Sequence, residues 1–235
     1  MQKPASICFL LLVFLNPVNL ASQVNMVDEG IFLIEIGGQQ IGTESFKIRS
    51  VGTGTEMRII AQGELTISTE EADETIQSAL GAVGPTMSIE AYQTRISSSN
   101  LEINLQRRGN RFFSFSSSDS HLEEREYRRI SNQIPTIILD EHFAHHYFLL
   151  LPHQFIANKE VSVVAPRVGQ QNTAILSLGS VEPLTIGNER VQAQYLELNV
   201  ENSIHRIWTD GQKRILRVEI PQGSFVAYRI LGPAD

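Results

Sequence analysis

The chain of 235 residues carries a formal net charge of −7, and 42% of its residues are hydrophobic while 19% are charged. This composition is typical of a globular protein and excludes a long disordered or low-complexity protein. It also argues against a nucleic-acid partner, which requires clustered Lys and Arg; the arginines between residues 125 and 129 are interleaved with Glu123, Glu124 and Glu126 instead.

The N-terminus has the features of a secretory signal peptide. Lys3 precedes an apolar run at residues 7–15, which Asn16 and Pro17 interrupt before a small residue, Ala21. The run is about half as long as a membrane-spanning helix, which needs about 20 apolar residues. We therefore expect residues 1–21 to be removed, residues 22–235 to form a single antiparallel β domain, and the mature protein to be exported without a membrane span.

Two further features of the sequence concern the stability of the mature chain and the compartment to which it is exported. The single cysteine, Cys8, lies inside the leader, so the mature chain cannot form a disulfide and must be stabilised by its hydrophobic core. No Asn-x-Ser/Thr sequon occurs, which favours a bacterial envelope, periplasmic or extracellular, over a eukaryotic secretory route.

Hairpin patterns follow the leader. Residues 31–36 and 41–49 flank the turn at 37–40, and residues 101–106 and 111–116 flank Arg108-Gly109-Asn110. Short β-branched or aromatic runs between Gly, Asn and Asp turns are typical of antiparallel pairing between sequence neighbours. A third pair, residues 161–165 and 173–178, has the same form.

Two stretches break the strand pattern. Residues 69–80 are acidic, with Ile76 and Leu80 four apart, and predict either a short exposed helix or a loop. Residues 140–151 predict a helix that Asp140 caps and Pro152 ends. Its apolar face would fill the concavity of the sheet. That face contains Leu139, Phe143, Tyr147 and Leu150.

The C-terminal third predicts a meander of four strands, at residues 189–200, 203–209, 213–220 and 224–230. In the first of them the apolar positions change phase near Tyr195, which we interpret as a β-bulge. Together these elements predict a mainly all-β fold: a strongly curved antiparallel sheet or open half-barrel packed on one helix.

The predicted helix carries the histidines His142, His145 and His146, which are weak candidates for metal ligands. His142 and His146 are one turn apart, but the Glu of a His-Glu-x-x-His motif is absent, so we favour a structural role at the edge of the apolar face. No Gly-x-Ser-x-Gly elbow, thiol nucleophile or phosphate-binding loop is present in the mature sequence. We therefore expect no catalytic residues and no cofactor.

Several short motifs of this chain resemble motifs of exported bacterial proteins of unknown function. They are a Gly38 to Glu44 hairpin, Leu139-Asp140 followed by His145-His146-Tyr147, and Trp208-Thr209-Asp210 followed by residues 217–221. Those proteins are similar in architecture to the outer-membrane lipoprotein carriers, in which a curved antiparallel sheet wraps around helices and shelters acyl chains. The resemblance implies no catalytic residues.

Three hypotheses for function follow. The first is a non-catalytic periplasmic protein that binds a lipid or other hydrophobic ligand in the concave face of the sheet, where Phe143, Tyr147 and Trp208 are candidate contacts. Trp208 alternatively has a packing role at a strand end. The second is a structural or protein-interaction module with a packed core and an envelope protein as partner. The third is a metal-dependent enzyme that uses His142, His145 and His146.

Overall fold

The computed structural model describes residues 24–68, 73–119, 121–129, 131, 133–154 and 156–231. The predicted signal peptide at residues 1–21, with Cys8, lies outside these residues. Of the helical segments among the described residues, none has the length and apolar character needed to cross a membrane.

The described residues form one fifteen-stranded sheet. Its strands are β1 Val24–Ile36, β2 Gln39–Val51, β3 Arg58–Ser68, β4 Asp73–Val83, β5 Ser88–Ile96, β6 Leu101–Arg108, β7 Arg111–Ser118, β8 His121–Arg128, β9 Thr136–Ile138, β10 Lys159–Ala165, β11 Gln170–Ile186, β12 Glu189–Val200, β13 Ser203–Thr209, β14 Ile215–Ile220 and β15 Phe225–Arg229.

The topology consists of two meanders joined at the first and last strands. The strand order runs from β8 down to β1, then to β15 and down to β9, so β1 pairs with β15. Every neighbouring pair is antiparallel except β9 and β10, which are parallel because a long crossover connects them. The predicted all-β class, the three hairpins and the C-terminal meander are confirmed.

Alternating burial along the strands shows which face encloses the core. In β3, Ile59, Ala61, Gly63 and Leu65 are buried, whereas the residues between them are exposed. This period of two places every second side chain inside the curved sheet. The sheet curves so far that β9 contacts β5 across the interior.

The expectation of a helix or loop at residues 69–80 is wrong for residues 73–80, which belong to β4. Ile76, Ser78, Leu80 and Ala82 are buried in alternation, and Ile76 pairs with Leu65 of β3. A spacing of four places two residues on the same face of a helix and also on the same face of a strand. The spacing of Ile76 and Leu80 was therefore compatible with both.

The crossover between β9 and β10 passes through the interior, and we call its residues 139–154 the strap. It packs its apolar residues into the core as expected, but its helical part is a 3₁₀ helix, His145–His153, that contains Pro152. The predicted α-helix from Asp140 does not form, because His142 has a positive φ of 65°. That conformation interrupts an α-helix at its first turn.

The predicted bulge near Tyr195 is in the partner strand. The register of β11 and β12 shifts between Leu178 and Val181, so the extra residues are on β11, opposite Tyr195. The change of phase in β12 has another cause, because this strand contributes to two cores on opposite faces. Leu196 and Leu198 join the main core, whereas Ala193 joins a smaller cluster outside it.

One end of the sheet, β8, approaches the start of β11 near the other end without pairing with it as a strand. The side-chain amide of Gln171, on β11, accepts a hydrogen bond from the backbone N–H of Arg128 (3.1 Å). The same amide donates a hydrogen bond to the backbone carbonyl oxygen of Arg128 (2.6 Å). Arg125 donates to the carbonyl of Gly169. Side chains of β8 and β11 therefore bridge β8 to the region of the β10–β11 turn, and the curved sheet is an open barrel.

Candidate functional site

Glu44 fixes the strap from the facing wall of the barrel. Its carboxylate accepts hydrogen bonds from the backbone N–H groups of Ala144 (2.7 Å) and His145 (3.3 Å) and from Nδ1 of His145. These two backbone groups stand at the start of the 3₁₀ helix, where N–H groups lack intrahelical partners. Glu44 therefore acts as a cap supplied by another element, 100 positions away in the chain.

Gly63 provides the space in which the His145 ring lies. A Cβ atom at position 63 would collide with the ring atom Cε1 of His145 and lie 2.9 Å from its Nδ1. Gly63 is on the same cross-strand row as Phe46 and Ser78. Phe46 stacks on the His145 ring, with centroids 5.8 Å apart. The wall is thus shaped around this imidazole.

Asp140 anchors the beginning of the strap, a few residues before the part that Glu44 holds. It accepts hydrogen bonds from the hydroxyl of Tyr92 (2.7 Å) and the backbone N–H of Arg167 (3.1 Å), and the guanidinium of Arg167 lies 3.2 Å from it. Burial raises the pKa of Asp140, and Arg167 opposes that shift. Burial, followed by the charge of Asp140, raises the pKa of Tyr92 well above its ordinary value.

The three candidate metal ligands do not form a single cluster. The rings of His145 and His146 are adjacent, with centroids 4.4 Å apart, whereas the His142 ring packs on Phe225. Nδ1 of His146 accepts a hydrogen bond from the N–H of Asp140, and burial lowers the pKa of His146 well below its ordinary value. In the part of the chain that the structure describes, no three His, Cys, Asp or Glu side chains are grouped as metal ligands.

Two imidazole nitrogens in this region lack hydrogen-bond partners. Nε2 of His145 and Nε2 of His146 are buried, and neither has a partner among the described residues. Buried polar groups usually have partners, because an unpaired one costs about 1–3 kcal/mol. The strap therefore contains buried polar atoms whose burial is not fully compensated.

The three candidate ligand contacts lie in two different places. Phe143 and Tyr147 are buried in the main core, where Phe143 packs on His146 and the Tyr147 hydroxyl lies 2.7 Å from Nδ1 of His205. Trp208 belongs to the smaller cluster on the other face and donates a hydrogen bond to Glu182 (2.6 Å). The structure therefore brings Phe143 and Tyr147 together and separates Trp208 from them.

A cavity of about 310 Å³ lies between the end of the strap and the inner face of the sheet. This volume is at the lower end of the range of small-molecule sites, about 300–1,000 Å³. Most of its wall is apolar, with a few polar groups. The apolar residues come from β1, β2, the turn before β5, the strap and β14, and they are Val27, Phe46, Ile48, Pro85, Met87, Phe148, Leu151, Pro152 and Ile215.

The polar part of this cavity comprises an inner and an outer group. His145 lines it from the strap, and Asp28 lines it from β1, where Arg229 holds the Asp28 carboxylate with two hydrogen bonds of 2.7 and 2.9 Å. The outer group is the turn between β13 and β14, which contributes Gln212, Lys213 and Arg214. Neither Phe143, Tyr147 nor Trp208 is among the described residues that line the cavity.

A larger depression, of about 690 Å³, lies on the outer face of β1 to β5. It is wide open and its lining includes Gln62, Gln77, Gln93 and Lys47, all of them exposed. The depression is more open than the interior cavity, so a ligand bound there would keep more of its surface in contact with water. The smaller interior cavity is the better candidate site.

Sequence reasoning missed most of the residues that line the cavity, and it also missed Glu44, which positions the strap and for which a sequence signal was available. Glu44 occupies the same phase of β2 as the buried residues Phe46, Ile48 and Ser50. A carboxylate in phase with an apolar row indicates a buried charge with partners elsewhere in the fold. By contrast, no local pattern distinguishes Met87 or Ile215 from ordinary core residues.

The comparisons with known proteins identify a fold and no function. No protein-family model matches the sequence, and no curated protein matches it. The chain is similar in structure to a crystal structure of a β-barrel-like protein of the domain of unknown function DUF1849 from Brucella abortus. The TM-score is 0.54 at 4% sequence identity, and the match covers 87% of this chain and 94% of that chain. The chain therefore has a β-barrel-like fold that also occurs in a bacterial protein of unknown function.

Proposed function

We propose that this protein is a non-catalytic module of the bacterial cell envelope that binds a lipid or other hydrophobic ligand inside its curved sheet. The observation that carries the proposal is the cavity of about 310 Å³ at the end of the strap. Burial of an apolar group there would be favourable by about 25 cal/mol per Å² of area removed from water. The signal-peptide pattern at residues 1–21 supports export to the periplasm.

Two buried carboxylates of the interior help to fix one wall of the cavity. The most polar interior groups, Glu44 and Asp140, are engaged with backbone N–H groups of the strap and its neighbourhood. These contacts hold the strap in place, and the strap forms one wall of the cavity. The buried charges therefore support the shape of the site.

A ligand titration tests this proposal. We expect dodecanol to bind the wild-type protein with one-to-one stoichiometry, as measured by isothermal titration calorimetry below its solubility limit. Leu151 is half-buried at the cavity wall, so Leu151→Trp should fill part of the volume and weaken dodecanol binding by at least about tenfold.

The matched control is Leu122→Trp, because Leu122 is 69% exposed on β8 and lies outside the cavity lining. This variant should bind dodecanol like the wild type. The proposal fails if the wild type shows no binding, or if Leu151→Trp binds as tightly as Leu122→Trp.

The second candidate function is a structural or interaction module with a packed core and an envelope protein partner. It is favoured by the strap, since Phe148, Leu149 and Leu150 are buried in the interior and already fill much of it. Under this hypothesis dodecanol would not bind. A variant with a charge introduced on an edge strand should then lose a partner protein that is recovered with the wild type, and this loss would support the second hypothesis.

A further inference from the structure

The imidazole of His145 has one nitrogen that is bound and one that has no partner. Its Nδ1 is in contact with the carboxylate of Glu44, and a carboxylate can only accept a hydrogen bond. Nδ1 therefore carries the hydrogen of the neutral ring, and Nε2 has a lone pair that can only accept. Nε2 is buried and has no partner among the described residues. The strap thus places an unused hydrogen-bond acceptor in the interior.

This acceptor is on a residue of the cavity wall. His145 lines the interior cavity together with Phe46, on which its ring stacks at an interplanar angle of 9°. A Cβ atom at Gly63 would lie closest to Cε1 and Nδ1, so β3 covers that edge of the ring. The two nitrogens of an imidazole point in widely different directions, so Nε2 faces away from Glu44. Of the two ring nitrogens, Nε2 is therefore the one that a group in the cavity could use.

The other polar side chain of the inner group is already neutralised. Arg229, which is itself buried, donates hydrogen bonds of 2.7 and 2.9 Å to the two carboxylate oxygens of Asp28. The wall around them contains apolar residues such as Phe148 and Ile215. A charged ligand group would lose its hydration at this inner wall without gaining an opposite charge, whereas a neutral hydroxyl loses less and finds an acceptor.

We infer, on the basis of the proposed function, that the ligand is a single-chain amphiphile with a neutral hydroxyl group, which donates a hydrogen bond to Nε2 of His145. The alkyl chain lies against the apolar wall between the strap and β2. This hydrogen bond satisfies a buried acceptor that otherwise has no partner, so it adds more to affinity than one that only replaces a bond to water. A molecule of the same size without a hydroxyl leaves Nε2 unsatisfied.

Two isomeric probes test this inference. Dodecanol and methyl undecyl ether have the same atoms and similar lengths, but only dodecanol can donate a hydrogen bond. We expect dodecanol to bind the wild type about tenfold more tightly than the ether, as measured by calorimetry. Dodecanoate, which has no hydrogen to donate when ionised, should also bind less tightly than dodecanol. Tighter binding of dodecanoate would show that the site recognises an anion, and would overturn the inference.

The ring nitrogen itself gives a direct readout that needs no substitution. In nitrogen NMR spectra of the isotope-labelled wild type, the Nε2 signal of His145 should shift on addition of dodecanol and stay in place with the ether. Nε2 of His146 is the matched control, because it is also buried without a partner, but His146 is not among the described residues that line the cavity. Equal shifts of the His145 signal with both probes would contradict a hydrogen bond from the hydroxyl.

His145→Phe is the informative variant, because it removes the acceptor and keeps a ring that can stack on Phe46. It should bind dodecanol and the ether equally, whereas His146→Phe should keep the preference for dodecanol. The readout is the ratio of the two affinities, because each substitution also removes a hydrogen bond that holds the strap. If His145→Phe does not fold, the NMR measurement on the wild type decides.

The outcomes separate the two proposals. If dodecanol and the ether bind the wild type equally and the Nε2 signal of His145 does not shift, the hydroxyl is wrong while the apolar site remains supported. If neither probe binds the wild type, the proposed function fails and the inference fails with it. If His146→Phe loses the preference as fully as His145→Phe, the preference comes from the packing of the strap and not from Nε2 of His145.

Discussion

His205 shows how burial of a single residue makes stability depend on pH. It belongs to β13, and its Nδ1 lies 2.7 Å from the hydroxyl of Tyr147 on the strap. Burial lowers the pKa of His205 to about 4, from an ordinary value of 6.5. Between these two pH values the unfolded chain binds a proton at this residue and the folded protein does not.

The sign of the effect follows from this difference. The contribution of neutral His205 to stability is fully present above pH 6.5 and decreases as the pH falls toward 4. At pH 5 it should have decreased by about 1–2 kcal/mol. We expect His205→Gln, which does not titrate, to lose less stability between pH 7.5 and pH 5 than the wild type, as measured by urea unfolding.

Tyr147→Phe is the control for this measurement, because it removes the hydroxyl but leaves the buried imidazole in place. It should be less stable at both pH values and retain the wild-type pH dependence. Equal losses of stability in the wild type and His205→Gln would show that His205 is not responsible, and that other buried histidines, such as His146, dominate.

The residues that shape the site could be predicted from sequence only in part. The apolar character of Phe143 and Tyr147 predicted their burial, and both are buried. Their position outside the cavity lining could not be predicted, because it depends on how the strap packs against its neighbours. Glu44 caps a segment that is 100 positions distant, and a contact of that separation has no local pattern.

At the scale of elements, the strands were more predictable than the strap. Each strand of the C-terminal meander is a short run rich in apolar and β-branched residues between turn residues, and this pattern is local even where the alternation is interrupted, as in β12. The strap has apolar residues three and four apart, the spacing of one face of an α-helix, whereas the 3₁₀ helix that forms instead has three residues per turn and buries most of its residues. The choice between them depends on His142 at positive φ and on the cap from Glu44.

Gly63 and Gly81 provide a test of how the wall and the strap fit together. Gly63 lies within β3 and Gly81 within the neighbouring strand β4. A Cβ atom at Gly63 would collide with the His145 ring, whereas one at Gly81 would meet no atom within 4 Å. Gly63→Ala should therefore destabilise the protein by about 1–3 kcal/mol. It should also speed amide hydrogen exchange in the strap.

Gly81→Ala is the matched control. It should be neutral, or stabilise the protein by about 0.4–1 kcal/mol, because alanine restricts the unfolded chain. Urea unfolding gives the two free energies, and exchange at the amides of Ala144 and His145 reports on the strap. Similar effects of the two variants would mean that the His145 ring can move away without cost.

At the scale of the whole molecule, the features that could not be predicted are those that join distant parts of the chain. The pairing of β1 with β15 and the approach of β8 to β11 are not encoded by any local period. The same is true of the second core, which changes the phase of the apolar positions in β12 because this strand buries opposite faces along its length. That the sheet is strongly curved could be predicted from the sequence. Which distant strands the curvature brings together could not.

Gln171 tests whether the open barrel depends on the contact between its two ends. Its amide group satisfies both the N–H and the carbonyl of Arg128 at the edge of β8, and it also donates a hydrogen bond to Ser162 (3.0 Å). In Gln171→Ala these edge groups would be left to water. Each intramolecular hydrogen bond contributes about 0.5–1.5 kcal/mol, so the edge should open more readily while the rest of the sheet remains folded.

The measurement is native-state hydrogen exchange at the amide of Arg128, which should become at least about tenfold faster in Gln171→Ala, with a change of less than about 1 kcal/mol in global stability. Gln62→Ala, on the exposed outer face of β3, should leave that amide unchanged. Unchanged protection of Arg128 in Gln171→Ala would show that β8 is held by its pairing with β7 alone. The approach of the two ends would then be a consequence of curvature and would not stabilise it.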